Sequence, residues 1–173
     1  TLQTDKFTNR SRGFLESAQG LAVRSGHQKF TPEHILKVLL DDTEGLAANL
    51  ITSAGGRAPQ ALEQVEAALE KLPKVEGSGA GQIFLAPETA RLFESAEQIS
   101  QRAGDSFVSA ERLLQALAMA AKTPSATILE DAGVTPKSLN AAIDSLRKGR
   151  TADSASAEDG YEALKKYARD LTQ

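Results

Sequence analysis

The sequence predicts an all-α fold of two tandem four-helix repeats related by a pseudo-two-fold axis. The first observation is a stretch that occurs twice, FTPEHILKVLL at residues 30–40 and VSAERLLQAL at residues 108–117. The second is that apolar residues recur at helical spacing, in the same order, in both halves of the chain. The third is that no stretch alternates apolar and polar residues over the length of a strand.

Each copy of the repeated stretch has the features of a helix start. The hydroxyl of Thr31 or Ser109 is expected to accept a hydrogen bond from the unpaired amides of the first turn. Pro32 suits the first helical position. The carboxylate of Glu33 or Glu111 then complements the positive end of the helix dipole.

In the first repeat, placed at residues 1–72, four amphipathic helices are predicted. Gly26 is expected to end the first helix, residues 41–43 to form a turn that caps the third, and Gly55 to end it. Pro59 opens the fourth helix. The predicted inward-facing residues of the four helices are Phe7, Phe14, Ala18 and Leu21; Ile35, Leu36 and Leu39; Leu46, Leu50 and Ile51; and Leu62, Val65 and Leu69.

The second repeat, placed at residues 85–147, follows the same order 78 positions later, as Leu92 follows Phe14. After a one-residue deletion, Pro136 follows Pro59 by 77 positions. A chance match would not keep this register over four helices. The matching residues are Leu92, Ala96, Ile99 and Gly104; Leu113, Leu114 and Leu117; Ile128, Leu129 and Gly133; and Pro136 and Leu139.

Two segments have the composition of linkers. Residues 73–84 join the repeats through a Gly-rich hinge. Residues 148–160 carry no aliphatic side chain larger than Ala, so a mobile linker outside the core is expected there. Residues 161–173 regain an amphipathic pattern and hold both tyrosines, which predicts the truncated start of a further domain.

The composition excludes several classes of protein. The net charge of −3 and the lack of a long basic run argue against nucleic acid as a partner. The absence of cysteine excludes a disulfide framework and a thiolate metal site. No apolar run approaches the roughly 20 residues of a membrane span, and no signal-peptide core begins the chain. These features predict a cytoplasmic protein without membrane contact, and the missing initiator Met suggests a processed chain or a fragment. A monomeric fragment is expected whichever function the chain has.

Nothing in the sequence indicates a catalytic site. Residues 77–81 are Gly-rich, but neither Lys-Ser/Thr nor a preceding buried strand accompanies them, so a linker is favoured over a phosphate loop. No Gly-x-Ser-x-Gly elbow occurs. The two histidines, His27 and His34, lack a third clustered ligand, so no metal site is predicted. His34 is expected on the first turn of its helix as a solvated or hydrogen-bonding side chain.

Two alternatives stay open for residues beside the second copy of the motif. Asp105 and Glu111 flank its start, and they either cap a turn and complement a helix dipole or belong to a binding surface. Phe93 lies next to the predicted core residue Leu92, and either packs between the repeats or forms an exposed contact. The same ambiguity applies to Phe84, and packing is the favoured alternative.

The doubled motif resembles the N-terminal domain of Clp-type AAA+ chaperones. The resemblance covers residues 2–149 and is carried by TPEHILKVLL, with GDSF at residues 104–107 before the second copy. Within that family, LPKVEG at residues 72–77 is similar to the ClpB branch. So is ALKKYARDLT at residues 163–172, which resembles the entry into the first ATPase domain. The family domain consists of two four-helix repeats, in agreement with the periodicity.

The resemblance implies a function as the non-catalytic substrate-recognition domain of an ATP-dependent protein disaggregase. Such a domain weakly binds exposed apolar or unfolded segments of aggregated proteins and delivers them to a hexamer pore. The full-length relative would be a homohexameric ATPase that uses ATP and Mg and cooperates with a DnaK-type chaperone, whereas this fragment is expected to need no cofactor. The alternatives are an adaptor-protein docking module, as in the ClpA and ClpC branches, or a structural gate of the ring.

The same resemblance implies a set of substrate-binding residues. Positions that match Thr8, Asp105 and Glu111 are associated with substrate handling in the ClpB branch. An apolar groove on the first helix of the second repeat is also implicated, and Ile99 keeps its apolar character there.

Two positions near this groove depart from the family pattern. Ser95 and Arg112 stand where relatives can carry leucine, so the groove is expected to be more polar in this chain. The seam between the two repeats is a natural place for such a groove.

Overall fold

A computed structural model of the chain describes residues 5–42, 45–77 and 81–157. The described helices are α1 (Asn9–Arg24), α2 (Pro32–Asp41), α3 (Leu46–Ser53), α4 (Ala58–Glu70), α5 (Pro87–Arg102), α6 (Ala110–Met119), α7 (Pro124–Asp131) and α8 (Pro136–Arg147). Two short strands, β1 (Lys29–Phe30) and β2 (Phe84–Leu85), pair in parallel. Part of the predicted cap at residues 41–43, the centre of the Gly-rich hinge and the predicted domain start at residues 161–173 lie outside the described residues.

Corresponding helices of the two halves keep a constant offset. The starting positions are 9 and 87 for α1 and α5, 32 and 110 for α2 and α6, 46 and 124 for α3 and α7, and 58 and 136 for α4 and α8. Each pair is therefore 78 residues apart. Helix α8 has 12 residues where α4 has 13, which accounts for the one-residue deletion. The predicted all-α fold of two tandem four-helix repeats is confirmed.

The helix boundaries follow from proline and glycine. Five of the eight described helices carry Pro at their first or second position, where its missing N–H leaves no hydrogen bond unmade. At the other end, α1 and α5 are followed by Gly26 and Gly104, with φ values of +74° and +85°. Residues with a Cβ rarely adopt this left-handed backbone conformation. The matched glycines therefore let the chain turn sharply towards the next helix in both repeats.

The two repeats exchange short backbone pairings. The segment before α5 pairs with the segment before α2, where the Ala86 N–H donates to the Phe30 carbonyl at 3.2 Å. In the same way the segment before α1 pairs with the segment before α6, where the Thr8 N–H donates to the Val108 carbonyl at 3.0 Å. Since Ala86 follows Thr8 and Val108 follows Phe30 by the repeat offset, each repeat supplies the same bond to the other. Two-residue strands show no alternation in the sequence, so this pairing could not be predicted.

The core runs through both repeats, but α1 presents a different face from the predicted one. Leu15, Ala18 and Ala22 are buried, whereas Phe14 and Leu21 are only partly buried. Both sets have helical spacing and share Ala18, so periodicity alone could not choose between them. The predicted core residues Leu92, Ala96 and Ile99 of α5 are buried as expected.

Phe93 packs between the repeats. Its ring meets the ring of Phe7 edge to face, with the ring centroids 5.8 Å apart and the planes at 86°. This geometry is favourable for an aromatic pair. The packing alternative therefore holds for Phe93, whereas Phe84 is 56% exposed.

The segment after α8 makes more contacts than its composition predicted. Ala152 is fully buried, its N–H donates to Asp105 Oδ1 at 2.9 Å, and its carbonyl accepts from the N–H of Ser106 at 2.9 Å. The Asn9 N–H donates to the Ala155 carbonyl at 2.7 Å. The expectation that this segment lies outside the core is wrong for Ala152, because backbone groups rather than apolar side chains hold it. Mobility of residues 148–160 stays a prediction.

Candidate functional site

All four predicted site residues are buried in the structure. Thr8 and Glu111 are 0% exposed, Asp105 is 6% exposed and Ile99 is 8% exposed. Thr8 caps α1, where its hydroxyl accepts from the Ser11 N–H at 3.2 Å. Ile99 lies in the core on α5. A partner molecule could not touch these side chains without rearrangement of the chain around them.

Asp105 and Glu111 meet through the guanidinium of Arg147, the last residue of α8. Arg147 donates from Nη1 to Asp105 Oδ1 at 2.9 Å and from Nε to Glu111 Oε1 at 2.5 Å. The neighbouring guanidinium of Arg112 donates to Asp105 Oδ2 at 3.0 Å. Ser109 completes what we call the Arg147 network, because its hydroxyl accepts from Arg147 Nη2 at 2.8 Å. The network ties the start of α6 to the end of α8.

The Arg147 network corrects two predictions about the start of α6. Ser109 is the N-cap of α6 as predicted, but its hydroxyl makes no cap hydrogen bond and binds Arg147 instead. Glu111 is paired with a buried cation rather than with the helix dipole alone. Burial by itself would raise the pKa of Asp105, but hydrogen bonds from Arg147, the Ala152 N–H and Arg112 outweigh it and hold that pKa below its ordinary value.

The loop that carries Asp105 also receives the N-terminal segment, through the bond from Thr8 to Val108. Thr8, Asp105 and Glu111 therefore belong to one structural unit, while Ile99 takes no part in these bonds. Their role in substrate binding stays a prediction. What the geometry indicates is that they fix the position of the second repeat's helices.

A cleft of about 710 Å³ lies at the seam between the repeats. We call it the seam cleft and define it by residues 27–33 and 72–73 of one repeat and residues 88–95 and 120–124 of the other. Leu72, Pro73 and Pro124 supply apolar surface to it. The charged side chains around it are Lys29, Glu33, Glu88, Arg91 and Lys122. Apolar surface together with a few charged groups is the usual character of a ligand-binding cleft.

Glu33 is the buried acid of this cleft, at 5% exposure. Burial raises its pKa, and hydrogen bonds to its own backbone and to Thr31 oppose the shift. Glu33 occupies the position equivalent to Glu111 in the other repeat, but α4 ends in Glu70 where α8 ends in Arg147. The two repeats thus differ in how they accommodate the same acid.

The two positions that depart from the family pattern separate in the structure. Ser95 lines the seam cleft and is partly buried, and a more polar groove than in relatives stays a prediction. Arg112 is 6% exposed and belongs to the Arg147 network rather than to the cleft.

The two histidines meet although they lie on different sides of a helix start. His27 Nδ1 and His34 Nε2 are 2.8 Å apart, and both side chains are buried. His34 is hydrogen-bonded and fully buried, so the alternative of a solvated side chain is wrong. Its Nδ1 accepts from the Thr31 N–H at 3.0 Å, in the way that Glu or Gln does in a capping box. Burial lowers the pKa of His34 to about 4, with a further contribution from His27.

The histidine pair has a counterpart in the second repeat. His27 and His34 are equivalent by the 78-residue offset to Asp105 and Arg112, which form an ion pair at 3.0 Å. Each repeat thus joins the loop before its second helix to the third residue of that helix. One repeat uses two neutral rings, and the other uses two charges.

Sequence reasoning located the seam but not the residues that line it. No pattern within a single helix shows which side chains from the hinge, from α5 and from the loop after α6 converge there. The available signal was the asymmetry between equivalent positions, such as His27 and Asp105, which marks places where the repeats have different roles.

The described part of the chain, residues 5–42, 45–77 and 81–157, contains no group of three or more His, Cys, Asp or Glu residues placed to hold a metal ion. Within these same ranges no helix has the length and apolar character needed to cross a membrane.

Comparison with known proteins gives strong sequence similarities. The family model described as the Clp repeat (R) N-terminal domain matches residues 6–132. The chain is 60% identical over 172 residues to the chaperone protein ClpB of Rhodopseudomonas palustris, a match that covers 99% of this chain. The chain spans about a fifth of the length of that relative, since the match covers 20% of it.

Solved structures show the same fold at lower sequence identity. The Hsp104 N-terminal domain of Candida albicans has a TM-score of 0.76 and 21% identity, and the match covers 88% of this chain and 99% of that one. The complex of the ClpV N-domain with a VipB peptide has a TM-score of 0.61 and 21% identity, and that match covers 80% of this chain and 85% of the other.

Proposed function

Because this chain belongs to the Clp repeat N-terminal domain family, we propose that it is the substrate-recognition domain of a ClpB-type protein disaggregase. In this proposal the domain weakly binds exposed apolar or unfolded segments of aggregated proteins at the seam cleft. It performs no catalysis itself. A full-length protein would supply the ATPase machinery that uses ATP and Mg, the hexamer whose pore receives the segment, and the cooperation with a DnaK-type chaperone in the cytoplasm.

The observation that carries the proposal is the seam cleft, taken with the high identity to ClpB. The cleft is open along the boundary of two rigidly packed repeats, and its apolar surface comes from both of them. A bound segment would therefore contact both repeats at once. The ClpV N-domain has been solved with a peptide bound, which supports peptide binding as a property that this fold can provide.

The energetics favour weak, fast binding. Burial of apolar surface contributes about 25 cal/mol per Å², and the ordering of an unfolded segment opposes that gain. Several tethered copies around a ring would raise the local concentration of binding sites without trapping the segment. The Arg147 network would act in this scheme by holding the second-repeat wall of the cleft in place, with Thr8, Asp105 and Glu111 as positioning residues.

The experiment is an NMR titration of the ¹⁵N-labelled domain with a permanently unfolded protein, such as reduced and carboxymethylated lactalbumin. We expect fast-exchange shifts of amides around the seam cleft, at Lys29, Ser95 and Ala121, at high concentrations of the unfolded protein. Amides on the outer face of α8, such as that of Ala141, are expected to stay in place. Unchanged shifts at the cleft would refute the proposed site.

An adaptor-docking module is the second candidate function, favoured by the ClpV N-domain's binding of a specific peptide. An adaptor would form a stoichiometric complex that competes little with unfolded protein. Competition of the two at the same cleft amides would favour client binding. The third candidate, a structural gate of the ring, predicts impaired hexamer assembly when residues 1–149 are deleted from a full-length relative. Client binding predicts normal assembly with loss of aggregate handling.

A further inference from the structure

We propose that the buried pair His27–His34 makes polypeptide binding at the seam cleft depend on pH, so that acid weakens binding. The inference rests on the proposed function for the site at which it acts. It is supported by a series of hydrogen bonds whose donor and acceptor atoms follow from the geometry, and by the position of these bonds in the wall of the seam cleft.

The chain of hydrogen bonds begins at a backbone amide. The Thr31 N–H can only donate, and it points to His34 Nδ1 at 3.0 Å. His34 therefore carries its proton on Nε2, which faces His27 Nδ1 at 2.8 Å and donates to it. His27 in turn carries its proton on its own Nε2. Both acceptor nitrogens of the pair are occupied, so the arrangement is complete only while both rings are neutral.

An added proton breaks this arrangement wherever it binds. On His34 Nδ1 it would face the Thr31 N–H, and on His27 Nδ1 it would face the His34 Nε2–H. The pair could adapt if a proton on His34 Nδ1 were donated to the Thr31 hydroxyl oxygen, which lies 3.0 Å from that nitrogen. The Thr31 N–H would then still lose its acceptor. Each protonated state costs a hydrogen bond at the N-terminus of α2 or within the pair.

The pair lies where such a change reaches the cleft. His27 and Thr31 both line the seam cleft. Next to them, the Gly26 carbonyl accepts from the Val75 N–H at 2.7 Å, which attaches the inter-repeat hinge to the same loop. Loss of the pair's hydrogen bonds would loosen the loop, the start of α2 and the attachment of the hinge together.

The charges around the pair come from several elements. Burial is the main cause that lowers the pKa of His27, and Lys74 in the hinge lowers it further. Glu70, at the end of α4, raises it. Lys29 and Glu33 stand on the same wall of the cleft. His27 Nε2 is buried without a hydrogen-bond partner within normal geometry, although the Leu69 carbonyl is near enough to influence its pKa. Glu33 is buried, but it is not among the groups that shift the pKa of either histidine, so it does not hold a charged imidazole directly.

The second repeat has no such dependence near neutral pH. At the equivalent positions Asp105 and Arg112 form an ion pair, and the pKa of Asp105 is held below its ordinary value. Acid between pH 7.5 and 4 would therefore act on the first-repeat wall of the cleft and leave the opposite wall in place.

The first test is an NMR titration of the two imidazoles. The chain has two histidines, so one single substitution, His27→Gln, assigns the ring resonances of both. We expect both rings to titrate below pH 6.5, with shifts of the Gly26, Thr31 and Val75 amides that follow the same midpoint. Titration near pH 6.5 with those amides unmoved would overturn the inference. This readout does not need a bound polypeptide, so it stands even if the proposed function fails.

The second test measures affinity for fluorescein-labelled, carboxymethylated lactalbumin at pH 7.5 and pH 4.0. Because the pKa of His34 is about 4, the imidazole is half protonated at the lower pH. We expect wild-type binding to weaken by about twofold more than binding by the double variant His27→Gln/His34→Gln, since linked protonation disfavours the bound state only in the wild type. Gln keeps the capping acceptor and does not titrate. Should that variant fold poorly, His27→Asp/His34→Arg copies the pair of the second repeat. An equal pH dependence in wild type and variant would overturn the inference, whereas no binding at any pH would overturn the proposed function.

Discussion

At the scale of single residues, the guanidinium of Arg147 holds together the polar interior of the second repeat. It is 3% exposed and contacts the carboxylates of both Asp105 and Glu111. Two buried carboxylates without a cation would be strongly disfavoured, because the low-dielectric interior does not replace their hydration. The network thus explains why a charged residue stands at the end of an otherwise apolar helix face.

The substitution Arg147→Met should destabilise the domain strongly. The Met side chain is similar in length to the apolar part of Arg, but it leaves both carboxylates without their main partner. We therefore expect a loss of about 3–5 kcal/mol in the free energy of unfolding. Urea denaturation at pH 7 measures this. Lys137→Ala, on an exposed position of the same helix, is the matched control and should change stability by less than about 0.5 kcal/mol. Equal effects of the two substitutions would contradict the account.

His34 predicts a dependence of stability on pH. Its pKa is about 4 in the folded state and about 6.5 in an unfolded chain, so the unfolded state binds more protons between these values. The stabilisation is complete above pH 6.5 and is lost as the pH falls toward 4, by up to about 3 kcal/mol. Asp105 loses its contribution only at lower pH, and Glu33, whose pKa is raised, acts in the opposite direction.

The substitution His34→Gln separates this contribution from the others. Stability of the variant, measured by thermal unfolding from pH 7.5 to 4.5, should fall less steeply than that of the wild type. Parallel curves for the two proteins would show that His34 titrates normally in the fold.

At the scale of helices, most of the fold could be predicted because the same pattern occurs twice. The helix start at Thr31 and the glycines after α1 and α5 each have a local physical cause that the sequence displays. The start at Ser109 was predicted at the right position, but its hydroxyl binds Arg147 rather than the first turn. The face of α1 could not be predicted, because two stripes through Ala18 have equal periodicity. The bonds of Ala152 could not be predicted either, since they run through the backbone, which is the same for every residue type.

The candidate site was less predictable than the helices for a related reason. Asp105 and Glu111 were recognised as unusual by their position, but their burial depends on Arg147, which is 36 residues beyond Glu111 in the chain. The His27–His34 contact likewise spans a helix start. Contacts between elements follow from packing, and periodicity within one element does not contain them.

Two glycines give a test of how the helices are connected. A Cβ at Gly56 would lie 2.5 Å from Val134 Cγ2 and 3.1 Å from the Ala132 carbonyl oxygen, where the loop after α3 packs on the loop after α7. Gly56→Ala should therefore destabilise by about 1–3 kcal/mol. Gly13, inside α1, has nothing within 4 Å of an added Cβ, so Gly13→Ala should stabilise by about 0.5–1 kcal/mol. Chemical denaturation of both variants checks the opposite signs, and destabilisation by both would contradict the described packing.

At the scale of the whole molecule, the two repeats form one unit with one shared core and a cleft along their boundary. The reciprocal bonds from Thr8 to Val108 and from Ala86 to Phe30 hold the repeats in a fixed relation. Because the cleft lies along this boundary, the same bonds help to position its two walls. The histidine pair adjoins the first-repeat wall of the cleft, whereas the equivalent ion pair of Asp105 and Arg112 lies in the Arg147 network outside the cleft.

The most direct test of the central claim, that the seam cleft binds unfolded polypeptide, is a comparison of two alanine substitutions. Ala121 is exposed and lines the cleft, whereas Ala141 is exposed on α8 away from it. Ala121→Asp and Ala141→Asp add the same charge, and fluorescence anisotropy with labelled, carboxymethylated lactalbumin at pH 7.5 measures affinity for both. We predict that Ala121→Asp weakens binding by about tenfold, the effect of about 1.4 kcal/mol, and that Ala141→Asp leaves it unchanged. Equal affinities of the two variants would contradict the claim.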